Sequence, residues 1–281
     1  MNEDRLQEIL NTLTKLRIVV CGDFFLDRYV ELDPLLNEIS IETGKTAYQV
    51  VGKRPQPGAA GTICNNLVSL GVKYLFALTV IGNDGEGHEL TKALESMDVD
   101  TAHILSTDSR FTPTYMKPML QKADGEEELE RMDTKNRSPL ARELEDIICE
   151  RLESFAGTAD ILIISDQVQE RNCGVITDRV RNFLSHLAEK NKSTIFFVDS
   201  RERIGEFKNV CIKPNRSECI NAIEKTDHQL TTDKAIHCAR QLYRQNGKPV
   251  FLTLDKEGIC PVTNGSQTMI PCPPVNEPID I

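Results

Sequence analysis

Pro55-Gln56-Pro57-Gly58-Ala59-Ala60-Gly61-Thr62-Ile63-Cys64-Asn65-Asn66-Leu67-Val68-Ser69-Leu70-Gly71 opens as a turn of small residues and closes on a glycine suited to end a helix. The apolar residues at 60, 63, 64, 67 and 70 keep a helical period, so one face of this helix is buried. Gly58, Ala59, Ala60 and Gly61 carry almost no side chain, which lets another molecule approach the backbone closely. The unpaired N–H groups of the helix's first turn would then meet hydroxyls or an anion. The competing reading is a tight loop packed against a neighbouring element.

On either side of this stretch, short apolar runs read as buried strands: Arg17 to Gly22, Tyr74 to Gly82, Asp160 to Ser165, Thr194 to Asp199, Val210 to Lys213 and Val250 to Leu254. Amphipathic helical patterns fall between them, at about 86–97, 138–155, 171–190, 215–223 and 231–246. The alternation predicts an α/β fold with a mostly parallel sheet flanked by helices on both faces, and residues 1–281 suffice for one large domain or two small ones. Such sheets bind ligands beyond the carboxyl ends of their strands. Two segments, at about 29–52 and 112–133, break the alternation. Thr112 to Leu120 and Glu126 to Asp133 read as strands joined through Lys122-Ala123-Asp124-Gly125. They predict a small antiparallel β lid over the ligand crevice, against the alternative of a surface hairpin without function. Pro271-Cys272-Pro273-Pro274 is an extended segment.

Composition excludes several classes. With 33 basic and 43 acidic residues the net charge is −10, which argues against nucleic-acid and membrane-surface partners while leaving room for a local phosphate pocket. No apolar run reaches the roughly 18 residues of a membrane helix, and Met1 to Lys15 lacks the apolar region of a signal peptide. None of the nine cysteines forms C-x-x-C, and no histidine pair completes a zinc spacing. Their odd count, without an export signal, fits small hydrophobes in a reduced cytoplasm.

Several motifs could carry chemistry. Asp23 and Asp27 follow the first strand, where an α/β ligand site would lie, and Asp27 could accept hydrogen bonds from sugar hydroxyls. A surface aspartate or helix cap is the alternative. Neither G-x-G-x-x-G nor G-x-x-x-x-G-K-[ST] is present, which disfavours dinucleotide-binding and P-loop enzymes. Gly82-Asn83-Asp84-Gly85-Glu86-Gly87 reads as a turn with helix-start signals and lacks an EF-hand's length. Ser165-Asp166 ends another strand. Asn215 and Glu218 have the spacing of a capping box, and Glu218 could instead lie near a hydrated Mg²⁺ on nucleotide phosphates. Thr253 to Gly258 is a strand–turn–strand that could flank a nucleotide.

Taken in order, these motifs resemble the ribokinase/PfkB family of sugar kinases. The likeness rests on Gly22-Asp23 with Asp27, Pro57-Gly58-Ala59-Ala60 with Asn66 and Leu70-Gly71, and Gly82-x-Asp84-x-x-Gly87. Ser165-Asp166, Asn215-x-x-Glu218 and Thr253-x-x-x-x-Gly258 continue it across about residues 16–281. Gly22-Asp23-Phe24-Phe25-Leu26-Asp27-Arg28-Tyr29 looks most like the heptose-phosphate kinase branch, the kinase half of bifunctional ADP-heptose synthesis enzymes. The resemblance implies a ribokinase-like fold, a β lid that often supports homodimers, and transfer of the ATP γ-phosphoryl to a sugar hydroxyl. It implies that Asp27, Gly58, Ala59 and Thr62 face the sugar and that Asp166 lies near the reacting groups. Asn215 and Glu218 would organise Mg²⁺ and phosphates, with Glu218 acting through water, while Thr253 and Gly258 line the ATP site.

The sequence departs from the family at three places. Thr62 stands where a sugar-contacting asparagine is usual, and Asp255 where the turn usually carries glycine. The Gly-Ala-Gly-Asp segment that supplies the family's anion hole and catalytic aspartate is missing, and Glu277-Pro278-Ile279-Asp280-Ile281 looks like the strand leading into it. The expectation is thus a carbohydrate kinase lacking its C-terminal part and without turnover. A non-catalytic sugar- or nucleotide-binding module is the alternative. Nucleoside, fructose-phosphate and heptose-phosphate acceptors all stay open.

Overall fold

The computed structural model describes residues 2–123, 125–224, 230–264 and 266–273. Asp124, Pro274 and the Glu277 to Ile281 stretch therefore lie outside the described residues. The chain folds as two compact units, Met1–Pro139 and Leu140–Ile281.

The first unit opens with α1 (Glu3–Leu13) and then β1 (Arg17–Gly22), β2 (Phe24–Leu32), β3 (Glu38–Ile39), β4 (Thr46–Ala47), β5 (Val50–Ala59) and α2 (Ala60–Ser69). It continues with β6 (Tyr74–Gly82), α3 (Gly85–Glu95), β7 (Asp100–Thr107), β8 (Thr114–Lys122), β9 (Gly125–Glu128) and β10 (Met132–Thr134). In β1 and β6 almost every residue is apolar, and Val19, Val20, Ala77 and Leu78 are fully buried. These strands pair in parallel, and β7 pairs in parallel with β6 at the edge of this three-stranded arrangement. Burying each such leucine or valine contributes about 1.5–3 kcal/mol, which fixes a register that sets Cys21 opposite Leu78, with the Thr79 hydroxyl donating to the Gly22 carbonyl at 2.7 Å.

A second sheet has the order β10-β8-β2-β5, with β9 also on β8. It is the expected small lid sheet, with one refinement: β2 and β8 pair in parallel, and the other pairings are antiparallel. Here two sequence expectations fail. Pro55 to Gly58 is not a turn but the end of β5, paired residue by residue with β2 from Arg28↔Pro55 to Phe25↔Gly58. Two prolines survive there because β5 is the sheet's edge, where a missing N–H breaks no ladder bond. Glu126 to Asp133 is not one strand either. Between the pairs Met119↔Glu128 and Met116↔Met132, three residues face two, so the chain bulges beside Pro118 and resumes as β10.

The second unit runs α4 (Arg142–Phe155), β11 (Ile161–Asp166), α5 (Asp178–Lys190), β12 (Ile195–Ser200), β13 (Cys211–Ile212), α6 (Arg216–Glu224), α7 (Thr232–Asn246), β14 (Val250–Thr253), β15 (Ile259–Thr263) and β16 (Ser266–Gln267). Its strands lie in the order β16-β15-β14-β13-β12-β11. From β11 to β14 they are parallel, and β15 and β16 turn antiparallel. Leu162, Ile164, Val198 and Leu252 are fully buried in this sheet. α4 and α5 begin later than the periodicity predicts. α5 starts only after Thr177, whose hydroxyl accepts from the Val180 N–H, because residues 171–177 are tied into a loop by Asn172 and Cys173.

Candidate functional site

In the first unit, the candidate residues meet where β5 runs into α2. Ala59 turns that corner at φ 52°, an unfavourable region for a side chain that costs on the order of 1–3 kcal/mol, and the Ala60 N–H then bonds the Asp23 carbonyl at 3.0 Å. The corner sets α2's first turn, with Thr62 exposed, beside the strand carrying Asp27. A Cβ on Gly58 would collide with the Asp27 carboxylate, so glycine is what lets that carboxylate stand over β5.

Asp27 has a partner that sequence reasoning missed. Lys117 on β8 reaches the Asp27 Oδ1 at 3.5 Å and donates to the Tyr29 hydroxyl at 3.1 Å, with its ammonium 4.7 Å from the Tyr29 ring centre. Burial lowers the Lys117 pKa, but the Tyr29 hydroxyl and the Asp27 carboxylate outweigh it and leave the pKa above its usual value. The ammonium therefore stays charged beside Asp27. The side chains are 15 % and 23 % exposed, which leaves the pair open to a ligand. No motif marks Lys117. Only the cross-strand register Tyr29↔Lys117 brings it there.

Behind this face, the next residue of β2 anchors the lid. Arg28 is buried and pairs with Glu86 at 2.7 Å and Glu89 at 2.9 Å, both on α3. Burial works against the guanidinium's charge, yet the two carboxylates raise its pKa further. Asp84 is fully used in structure, accepting from the Gly87 N–H at 2.8 Å, the Thr112 N–H at 2.9 Å and the Thr112 hydroxyl at 2.7 Å. The helix-start reading of Gly82 to Gly87 therefore holds.

In the second unit, Asn215, Glu218, Thr253 and Gly258 come together. The Asn215 Oδ1 accepts from the Glu218 N–H at 2.9 Å, and a Glu218 oxygen accepts from the Asn215 N–H at 2.8 Å, closing a reciprocal cap at the start of α6. Asn215 bridges to Thr253, whose N–H donates to the Pro214 carbonyl at 2.9 Å. Gly258 closes the turn after β14 at φ 102°, against the Ile270 carbonyl, so the position requires glycine. Asp255 is exposed at φ 51° in that turn. Burial raises the Glu218 pKa, with the Asn215 N–H opposing it and the Asp199 charge adding to it. Asp199 is itself paired with Lys213 at 3.3 Å.

Asp166 has a different setting from Asp27. Its carboxylate is buried, accepts from the Ser200 hydroxyl at 2.7 Å, and lies 3.5 Å from Arg203 and 3.7 Å from Arg181, both buried as well. Arg203 also donates to the carbonyls of Val168 and Gln169. Asp166 therefore anchors the loop after β11 through these protein groups. The cysteines behave as expected. Seven are buried, and burial pushes Cys64 up to about 12 and Cys149 up to about 11, so neither is a nucleophile near neutral pH. Among the described residues, no group of three His, Cys, Asp or Glu side chains is arranged to hold a metal. No helix among them is long and apolar enough to cross a membrane.

These strands, lid and glycine turns define a ribokinase-like α/β fold. Phosphofructokinase-2 from Escherichia coli, in complex with fructose-6-phosphate, superposes with a TM-score of 0.68 at 18% identity, covering 94% of this chain and 82% of that one. Ribokinase from Thermotoga maritima superposes with a TM-score of 0.61 at 17% identity, covering 93% and 79%. The profile of the pfkB family carbohydrate kinases matches residues 37–281, and the chain belongs to that family. The bifunctional protein HldE of Helicobacter pylori (strain G27) is 27% identical over 265 residues, 92% of this chain and 53% of its own length. HldE of Trichlorobacter lovleyi is 26% identical over 219 residues, 78% of this chain and 42% of its own length. The chain thus spans about half the length of these relatives.

Proposed function

We propose that this protein is an ATP-dependent kinase of a sugar or sugar phosphate, a phosphotransferase to an alcohol group. The observation that carries the reading is Asp27 held clear over Gly58 with one charged partner, Lys117, in a chain of a carbohydrate-kinase family. Asp27 accepts from sugar hydroxyls, and the Gly58-Ala59 backbone and Thr62 let the sugar lie close. The likeness to HldE favours a heptose phosphate among the candidate sugars. Asn215, Thr253 and Gly258 line the ATP site.

Magnesium fits the donor set. It keeps most of its waters and needs one or two carboxylates, and Glu218 has one oxygen held by Asn215 with the other unpaired among the described residues. Glu218 would hold such a hydrated ion, which neutralises phosphate charge during transfer. The exposed apolar side chains of Leu35, Leu36, Ile39, Ile41, Tyr48, Val50 and Val51 support a homodimer formed through the lid. A cytoplasmic location accords with nine unpaired cysteines.

Calorimetric titration with a panel of sugars and sugar phosphates, and separately with ATP and Mg²⁺, tests the reading. The expected result is saturable binding of both classes, with Asp27→Asn weakening only the sugar and Glu218→Gln only the magnesium-dependent part of ATP binding. Binding of neither class overturns it. A non-catalytic sugar- or nucleotide-binding module is the second reading: saturable binding without release of ADP supports it, and measurable sugar phosphorylation by the purified chain rules it out.

A further inference from the structure

The second unit carries a basic groove that the kinase reading does not use. It has a volume of about 430 Å³ and is lined by Arg240, Tyr243 and Arg244 of α7 and by Thr263 and Asn264 on one side and Ser266 and Gln267 on the other. Val262 pairs with Val250 at the start of β14, whereas Thr253 pairs with Ile259 at its other end. The groove therefore lies at the opposite end of this strand pair from Asn215, Thr253 and Gly258. The chain after β16 runs away from it, since Ile270 bridges back to Ile259.

The charge is unusual for its surroundings. In a chain with a net charge of −10, the groove's lining contains two arginines and, among the described residues, no carboxylate. The acids near α7 are spent towards its other end, where Glu224 pairs with Lys234 at 2.7 Å and Glu257 engages Arg216 and Thr232. Arg240 and Arg244 stand one helical turn apart, so their guanidinium groups share a face. Arg240 is exposed and steadied by its Nε bond to Gln267 Oε1 at 2.7 Å, a bond that does not use its two terminal amino groups. Arg244 makes no ion pair or hydrogen bond among the described residues. Thr263 and Ser266 add hydroxyls joined at 2.7 Å, and Asn264 adds an amide. Two forked donors a turn apart, hydroxyls opposite them and no competing carboxylate suit an anion with two linked phosphoryl groups.

We propose that this groove binds a small diphosphate-bearing molecule, separately from the candidate kinase residues. The site holds its ligand by bidentate Arg240 and Arg244 contacts, with one hydroxyl of the Thr263–Ser266 pair donating to the same oxygens and the other donating within the pair. Its size falls within the range of small-molecule pockets, which are typically about 300–1,000 Å³.

The test is titration of the 281-residue chain with inorganic pyrophosphate in metal-free buffer at low salt, followed by calorimetry. The expected result is saturable one-to-one binding that weakens as salt rises. The Arg240→Gln/Arg244→Gln double variant should weaken it at least tenfold, with an unchanged circular dichroism spectrum. A second variant, Ser266→Glu, keeps both arginines and should weaken it comparably by placing a like charge opposite the ligand. Absence of saturable binding in the unaltered chain overturns the proposal, as does equal binding by the unaltered chain and both variants.

Discussion

Asp27 and Asp166 each follow an apolar sheet strand by a few residues or end one, yet their surroundings differ in kind. Asp166 is sealed among a serine hydroxyl and two buried guanidinium groups. Asp27 faces one lysine at 3.5 Å, keeps part of its surface open and has a glycine beneath it. The difference teaches that position along a strand nominates a carboxylate, while residues from distant segments decide its task. A carboxylate whose lone pairs are all answered by protein holds the fold together, and one with lone pairs to spare can meet a ligand.

The largest effect should come from Asp166. Asp166→Ala removes the acceptor of the buried Ser200 hydroxyl and the carboxylate beside Arg203, while Arg181 keeps Asp178 and Glu206, so denaturant unfolding should report a loss of about 1.5–3 kcal/mol, against less than about 1 kcal/mol for Asp27→Ala at a partly exposed pair. Similar costs at both positions would break the comparison. Gly58→Ala comes next. The new methyl displaces the Asp27 side chain but meets no backbone, so sugar affinity should fall about tenfold, roughly 1.4 kcal/mol, while the melting temperature barely moves. A large drop in melting temperature with unchanged affinity would make Gly58 purely structural.

Lys117→Met should weaken sugar binding about fivefold, with Lys117→Arg restoring part of it, because the charge beside Asp27 matters more than the stem's packing. The smallest effect concerns Glu218. Its folded pKa lies above the unfolded value, so the folded state binds more protons and stability falls as pH rises between the two. Glu218→Gln should remove that decline and leave the ligand-free protein slightly more stable at pH 7 than the parent, as differential scanning calorimetry at pH 5 and 7 would show. A parent that gains stability over this interval relative to Glu218→Gln would contradict the assignment.

Much of this was legible in the sequence because it is local. The reciprocal cap of Asn215 and Glu218 is a spacing of three, and the Gly258 turn and the Asp84 helix start are written in consecutive residues. What was hidden depends on register. Lys117 reaches Asp27 only because β2 and β8 align Tyr29 with Lys117, 88 positions apart. The setting of Asp166 was hidden for the same reason, since Arg181 and Arg203 arrive from later elements. Pro55 to Gly58 reads as a turn on composition, and only its place at a sheet edge lets it be a strand.

That rim has a consequence for how copies of the protein can meet. A sheet margin normally invites foreign strands by offering a ladder of amide hydrogens, but Pro55 and Pro57 delete two rungs from this one. The exposed leucines, isoleucines and valines between 35 and 51 therefore sit beside a margin blunted against open-ended strand addition.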